Sequence, residues 1–224
     1  MTTALVTGAN KGIGLEIVKQ LIDRGLTVYL GARDPERGEK AAADVGARFI
    51  QLDVTDPASI QRAAASLDQL DVLVNNAGIT GGRLNAPGDA DVASIREAFE
   101  TNVFGVIALT DALLPLLRAS EQGRIVNVSS TVGSLAGMMT SPSPISLAYV
   151  PSKTALNAVT VLYAKAETGL KVNSACPGYC ATDLNNHSGY RTPTEGARTA
   201  VRLATLDDDG PTGGFFDDEG VIAW

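Results

Sequence analysis

The sequence has few of the residues that build covalent cross-links or metal centres. It contains two cysteines, Cys176 and Cys180, and a single histidine, His187. Two cysteines do not provide a disulfide framework, and such a low content is typical of proteins kept in a reducing cytosol. One histidine leaves too few ligands for a histidine-built metal site. We therefore expect a cytoplasmic protein that binds no metal.

Positive charge and long apolar runs are also lacking. The 224 residues carry a formal net charge of −7, which argues against a general affinity for nucleic acid or for an anionic membrane. The first residues lack the charged region and the apolar run of a signal peptide, and no apolar run approaches the length of a membrane-spanning helix. We expect a small-molecule partner, without nucleic acid or membrane.

What the sequence does contain is an alternation of short β-branched runs with amphipathic stretches. The short runs have no polar face, as is typical of parallel strands buried on both sides. This predicts one α/β domain over residues 1–224, a Rossmann-type doubly wound parallel sheet of about seven strands with helices on both faces. The predicted strands are 4–7, 26–32, 47–53, 71–77, 123–130, 170–176 and 213–216; the predicted helices are 12–24, 35–45, 57–67, 95–118, 149–168 and 194–206.

The stretch "TGANKGIG" places Gly8, Gly12 and Gly14 between the first predicted strand and the first predicted helix. Glycines allow a tight turn, and the free N–H groups of the following helix can bind a pyrophosphate. A purely steric role is the alternative, but the position at the first crossover favours a dinucleotide site.

The end of the second predicted strand bears on the choice of cofactor. Ala32 stands where an acid would select a free ribose 2′-hydroxyl; Arg33 follows it, and Lys11 lies in the glycine turn. Cations at these places favour a 2′-phosphate, for which arginine provides a planar fork of donors. A solvated arginine is the alternative, and Asp34 is expected to cap the helix that begins at Pro35. The sequence therefore predicts NADP(H) rather than NAD(H).

The stretches "NVSS" and "YVPSK" supply candidate catalytic side chains. Tyr149 and Lys153 are four residues apart on one helical face, so the ammonium is expected to lower the pKa of the tyrosine from about 10. Because side chains alternate along a strand, only one of Ser129 and Ser130 can face the same cleft. An ordinary amphipathic helix start is the alternative for the tyrosine and the lysine.

Five stretches together, "TGANKGIG", "NNAG", "NVSS", "YVPSK" and "PGYCAT", resemble the short-chain dehydrogenase/reductase family over essentially the whole chain. The glycine spacing resembles its compact one-domain branch, and "NKGIG" and "ARDPERG" are similar to the carbonyl reductase group, which uses NADPH. The resemblance implies reduction of aldehyde or ketone carbonyls to alcohols by hydride transfer.

The resemblance also implies residue roles. Ser130 would orient the carbonyl and Tyr149 would donate the proton. Lys153 would lower the pKa of the tyrosine, and Asn102 would hold a water of the proton relay. The implied cofactor-binding residues are Gly8, Asn10, Lys11, Gly12, Ile13, Gly14, Arg33, Asp53, Val54, Asn76, Ala77, Gly78, Tyr149, Lys153, Pro177, Gly178, Cys180 and Thr182. Asn75 would help to shape the end of the central strand and the wall beside the cofactor ribose, with a structural role as its alternative. For Asn102 the alternative is a structural role in bonding helix carbonyls, and both of its roles can hold together.

Two departures from the family pattern concern the substrate side. Ser130 and Tyr149 are 19 positions apart, and the extra residues should form a loop beside the pocket, with Met138 and Met139 as an adaptable wall or as packing on the fold. This loop argues for a monomer or homodimer rather than a tetramer. The short segment after Thr182 suggests an open pocket, in which His187 and Tyr190 either line the cleft or lie exposed.

Two other functions fit the same motifs. A sensor or scaffold protein would bind NADP(H) without turnover, although an intact set of acid–base residues argues against it. A 3-oxoacyl-carrier-protein reductase would act on an acidic partner, against which the net charge of −7 weighs.

Overall fold

In the computed structural model, which describes residues 2–82 and 85–224, the predicted strands form one parallel sheet. Its order is β3-β2-β1-β4-β5-β6-β7, and every neighbouring pair is parallel. The strands are β1 Thr3–Thr7, β2 Thr27–Ala32, β3 Arg48–Gln51, β4 Val72–Asn75, β5 Arg124–Val128, β6 Lys171–Ala175 and β7 Phe215–Phe216.

The helices lie where the amphipathic stretches predict them, with one addition. They are α1 Gly12–Asp23, α2 Pro35–Val45, α3 Pro57–Ala65, α4 Val92–Phe99, α5 Gly105–Ala119, α6 Leu135–Met138, α7 Tyr149–Ala166 and α8 Pro193–Ala204. The predicted helix 95–118 is interrupted by a π-helical turn, Glu100–Phe104, and the short α6 was not predicted. Asp34 caps α2 as expected, since its carboxylate accepts from the N–H of Arg37 at 3.1 Å.

Hydrophobic cores on both faces hold the helices to the sheet. On one face Ile17 of α1 and Val201 of α8 pack against Val6 of β1. On the other face Leu113 of α5 packs with Leu73 of β4. Burial on both faces explains why the strands have no polar side, and the predicted doubly wound fold is confirmed.

The strand order determines where a ligand can bind. The chain leaves β1 toward β2 and β3, and later returns to place β4 on the other side of β1. Such a reversal opens a crevice beyond the carboxyl ends of the strands. The glycine turn follows β1, Asn76–Gly78 follow β4, Ser129 and Ser130 follow β5, and Cys176–Gly178 follow β6.

The helix that contains α4, the π-helical turn and α5 is unusually long. Within the described residues, Val92–Ala119 is the one helix whose length and composition would allow it to cross a membrane, and half of its most apolar window is buried inside the protein. The expectation that no segment approaches this length is therefore wrong, because three helical pieces join end to end. Burial of this kind is what a core helix shows as well.

Candidate active site

The glycine turn after β1 is held tightly against the end of β4. Gly8 and Gly12 adopt left-handed φ values of +61° and +58°, which favour glycine. A Cβ on Gly14 would lie 2.5 Å from Nδ2 of Asn76 and 2.7 Å from the carbonyl oxygen of Gly8. The first turn of α1 has no side-chain cap, so its N–H groups remain available to an anion.

Asn76 fastens this turn to the sheet. Its Nδ2 donates to the carbonyl oxygens of Thr7 at 2.9 Å and of Gly8 at 3.2 Å. The hydroxyl of Thr7 accepts from the N–H groups of Asn76 and Ala77 at 3.0 and 2.9 Å. In this structure the side chain of Asn76 therefore shapes the predicted cofactor site by holding the backbone of the glycine turn.

The two candidate phosphate-binding cations differ in their surroundings. Arg33 is exposed at the end of β2, and within the described part of the chain its guanidinium has no ion-pair partner. Lys11, in contrast, forms an ion pair with Asp183, with Nζ 2.5 Å from Oδ2.

Asp53 and Val54 form the turn that follows β3. The carboxylate of Asp53 accepts from the N–H and the hydroxyl of Thr55 at 2.9 and 2.7 Å. A Cβ on Gly105 would lie 2.5 Å from the carbonyl oxygen of Val54, so α5 approaches this turn closely. Asp53 and Val54, both among the implied cofactor-binding residues, thus lie at the same sheet edge as the glycine turn.

The two serines after β5 face different ways, as the alternation of side chains predicts. Ser129 is buried and donates its hydroxyl to Oδ1 of Asn157 in α7 at 2.6 Å. Ser130 is half-buried, and its hydroxyl lies close enough to that of Tyr149 to lower the pKa of the tyrosine. The structure thus brings Ser130, not Ser129, together with Tyr149.

Lys153 is buried, with 4% of its surface exposed, one turn along α7 from Tyr149. Its Nζ donates to the carbonyl oxygen of Val128 at 2.8 Å and lies 5.7 Å from the centre of the Tyr149 ring. Gly78 adjoins this ammonium, since a Cβ at that position would lie 3.5 Å from Nζ. Lys153 therefore does not extend its ammonium to solvent, as a lysine at an ordinary amphipathic helix start would.

Burial dominates the acidities at this site. The pKa of Tyr149 is raised to about 12, chiefly by burial and secondarily by the charge of nearby Cys176, while Ser130 opposes the shift. Burial lowers the pKa of Lys153 to about 8, against a smaller opposing effect of Cys176. The expectation that Lys153 lowers the pKa of Tyr149 does not hold in this structure, because desolvation is the larger effect and the ammonium bonds Val128.

Asn102 lies within the π-helical turn and is fully buried. Its Nδ2 donates to the carbonyl oxygen of Ile79 and to Oγ of Ser152, both at 2.9 Å, and its Oδ1 accepts from the N–H of Ile79 at 2.9 Å. Asn102 thus has a structural role, and the role in a proton relay that the resemblance implies stays a prediction. Asn75 is likewise structural, since its Nδ2 donates to Oδ1 of Asn127 at 2.9 Å.

The segment after β6 closes the far side of the cleft. Gly178 has a left-handed φ of +73° and donates its N–H to Sγ of Cys176 at 3.4 Å. Cys180 donates its thiol to the carbonyl oxygen of Pro177 at 3.2 Å, and burial raises its pKa to about 11, which fits an inert packing residue. Thr182 approaches the glycine turn, with its Cγ2 3.6 Å from a Cβ placed on Gly12.

Comparison with known proteins identifies the family. The model of the short chain dehydrogenase family matches residues 2–191. The chain belongs to the short-chain dehydrogenase family. It is therefore an oxidoreductase, and the resemblance seen in its five sequence stretches is confirmed.

Relatives of this short-chain dehydrogenase match it along nearly their whole length. Salutaridine reductase of Papaver bracteatum is 33% identical, over 97% of this chain and 94% of the relative. Carbonyl reductase (NADPH) 1 of Rattus norvegicus is 34% identical, over 99% of this chain and 98% of the relative. The crystal structure of NADPH-bound carbonyl reductase from chicken fatty liver superimposes with a TM-score of 0.88 at 31% identity, covering 100% of this chain and 99% of that one.

The first part of the long approach to Tyr149 is held by the last two residues of the sequence. Ser134 donates its hydroxyl to the carbonyl oxygen of Ala223 at 2.7 Å, and Ala136 donates its N–H to that of Trp224 at 3.0 Å. Met139 is 93% exposed and contributes little packing to the fold. His187 and Tyr190 are also exposed to solvent: 66% of the side-chain surface of His187 and 83% of the surface of Tyr190 are accessible.

Three side chains near the site were not predicted for their roles. Cys176 affects the pKa values of both Tyr149 and Lys153. Its position directly after a strand end is the sequence signal that could have placed it near the site. Asn157 orients Ser129, and Asp183 pairs with Lys11. Sequence alone carries no signal for the last contact, since its partners are 172 residues apart.

Proposed function

We propose that this short-chain dehydrogenase uses NADPH to reduce the carbonyl group of small aldehydes or ketones to an alcohol. The observation that carries the proposal is the pairing of Ser130 with a half-buried Tyr149, beside the buried ammonium of Lys153. These groups lie at the same edge of the sheet as the glycine turn. The two rival functions, a sensor without turnover and a carrier-protein reductase, are tested by the experiment below.

The residues present fit a dinucleotide with a 2′-phosphate. The left-handed Gly8 and Gly12 and the uncapped start of α1 form a cradle for a pyrophosphate. Arg33 offers a guanidinium without an ion-pair partner in the described part of the chain, and Lys11 offers a second cation. The names of the rat and chicken relatives point to the same cofactor. When bound, NADPH supplies the hydride that reduces the carbonyl carbon.

Tyr149 is suited to deliver the accompanying proton. Its raised pKa, about 12, keeps the phenol protonated at neutral pH, which is the state that a proton donor needs at the start of reduction. The hydroxyls of Ser130 and Tyr149 are neighbours, and in this mechanism both donate to the substrate oxygen. Together they would orient the carbonyl and stabilise the negative charge that develops on its oxygen.

Lys153 is suited to restore that proton. Its lowered pKa, about 8, means that the buried ammonium gives up a proton near neutral pH more readily than an exposed lysine does. In this role Lys153 serves as the proton source for a deprotonated Tyr149. Asn102 acts differently: its bonds to Ile79 and Ser152 position the start of α7.

The decisive experiment is a panel of aldehydes, ketones, quinones and a 3-oxoacyl thioester, followed through oxidation of NADPH and NADH in parallel. We expect turnover of free carbonyl compounds with a preference for NADPH, and a loss of that preference in Arg33→Ser. Cofactor binding without oxidation across the panel would favour the sensor. Turnover confined to the thioester would favour the carrier-protein reductase.

A further inference from the structure

The ion pair of Lys11 joins the glycine turn to the segment that follows Thr182. Nζ of Lys11 lies 2.5 Å from Oδ2 of Asp183, and the two side chains are 60% and 55% exposed. Lys11 is thus engaged by a carboxylate at the place where the proposed function needs it for a phosphate. Arg33, the other proposed cation, has no such partner among the described residues.

The loop that carries Asp183 does not depend on Lys11 for its shape. A bridge between Cys180 and Arg191 joins its two ends, with the N–H of Ala181 donating to the carbonyl oxygen of Arg191 at 2.8 Å. Asn185 donates its Nδ2 to the carbonyl oxygen of Cys180 at 2.8 Å. The N–H of His187 donates to the carbonyl oxygen of Thr182 at 2.9 Å. The loop therefore presents Asp183 at a fixed place above the glycine turn.

Asp183 also has a second partner. Nε2 of His187 lies 2.9 Å from Oδ1, whereas Lys11 contacts Oδ2. If Lys11 moves to another anion, the carboxylate keeps the imidazole contact and remains open to solvent. Release of Lys11 therefore leaves no buried charge unpaired. Because Lys11 and Asp183 are both exposed, breaking their ion pair costs little free energy.

We propose that Asp183 is a specificity-determining residue that competes with the cofactor's 2′-phosphate for Lys11. The inference rests on the proposed binding of NADPH. A phosphate group carries more negative charge than a carboxylate and accepts more hydrogen bonds, so it displaces Asp183. The ion pair between Lys11 and Asp183 must break only when the ligand has a 2′-phosphate. Asp183 therefore lowers the ratio of NADPH affinity to NADH affinity.

The test compares Asp183→Asn with the wild-type protein in calorimetric binding of two adenosine fragments. Adenosine 2′,5′-bisphosphate carries the 2′-phosphate, and adenosine 5′-monophosphate lacks it. We expect the variant to bind the bisphosphate roughly two- to fivefold more tightly, as loss of an exposed competing ion pair implies, and the monophosphate unchanged. Asp23→Asn removes the same charge from the other end of α1 and should change neither affinity.

Repeating the measurement in the Lys11→Ala variant separates competition for Lys11 from a general effect of removing one negative charge. In Lys11→Ala the further change Asp183→Asn should leave bisphosphate affinity unaltered, since the contested cation is gone. An unchanged or weaker bisphosphate affinity in Asp183→Asn alone would overturn the inference, as would an equal gain in the Lys11→Ala background. If wild-type protein binds the two fragments equally, the proposed NADPH preference itself is wrong.

Discussion

Nζ of Lys153 lies 5.7 Å from the centre of the Tyr149 ring, yet the hydrogen bond of that ammonium goes to a main-chain carbonyl oxygen, at 2.8 Å. The two side chains therefore meet as neighbours in a desolvated site rather than as a direct ion pair. Desolvation disfavours the charged form of each, so it raises one pKa and lowers the other. The same desolvation keeps Tyr149 protonated, which suits proton donation, and destabilises the fold by burying the charge of Lys153.

The buried charge of Lys153 is expected to destabilise the fold at neutral pH. Its pKa falls from 10.5 unfolded to about 8 folded, so the folded state binds fewer protons between these values and the stability of the wild-type protein rises with pH there. Lys153→Met should therefore unfold with a free energy about 1–3 kcal/mol higher below pH 8, at about 1.4 kcal/mol per pKa unit. This advantage should shrink from pH 8 to 10.5.

Urea unfolding across this pH range measures the effect. Lys165→Met removes the same charge from an exposed position of the same helix and is the control for loss of a lysine. A Lys153→Met variant that is less stable than wild-type at pH 7 would show that the bond to Val128 outweighs desolvation.

The two adjacent serines should separate chemistry from stability. Ser130→Ala removes a donor to the proposed substrate oxygen, and we expect kcat/KM to fall about 100-fold or more with little change in the free energy of unfolding. Ser129→Ala leaves Oδ1 of Asn157 without its donor, and should cost about 1–3 kcal/mol of stability with little change in kcat/KM of the remaining folded protein. Steady-state kinetics beside thermal unfolding would distinguish them; the reverse pattern would place Ser129 in the site.

Asn102 should matter chiefly for stability and for the start of α7. Asn102→Leu removes three hydrogen bonds and leaves both main-chain polar groups of Ile79 unpaired, so the free energy of unfolding should fall by about 2–5 kcal/mol. Denaturant titration measures this loss. Glu100→Gln, an exposed change in the same π-helical turn, should stay within about 0.5 kcal/mol of wild-type. Equal stability of the two variants would contradict the role given to Asn102.

Local patterns account for most of the fold and for the location of the site. The unbroken apolar strands predict a parallel sheet, and the glycine turn at the first crossover predicts where its crevice lies. The alternation of side chains predicts that Ser129 and Ser130 point apart, and the cap at Asp34 follows from residue type alone.

The features that escaped prediction depend on contacts distant in sequence. The π-helical turn accompanies bonds from Asn102 to Ile79 and Ser152, which lie 23 and 50 residues away. The four-residue helix α6 is held by the carbonyl oxygen of Trp224. The pKa of Tyr149 follows burial, which the spacing of two residues on a helix does not reveal.

The central claim is that Tyr149 donates the proton in an NADPH-dependent carbonyl reduction. The most direct measurement is kcat/KM of Tyr149→Phe with the best carbonyl substrate, alongside NADPH affinity and melting temperature. Tyr163→Phe serves as the control, because Tyr163 lies farther along the same helix and donates its hydroxyl to Oδ1 of Asp111 at 2.6 Å. We predict a loss of at least about 100-fold in kcat/KM for Tyr149→Phe, with cofactor affinity retained. Wild-type turnover by Tyr149→Phe would contradict the account.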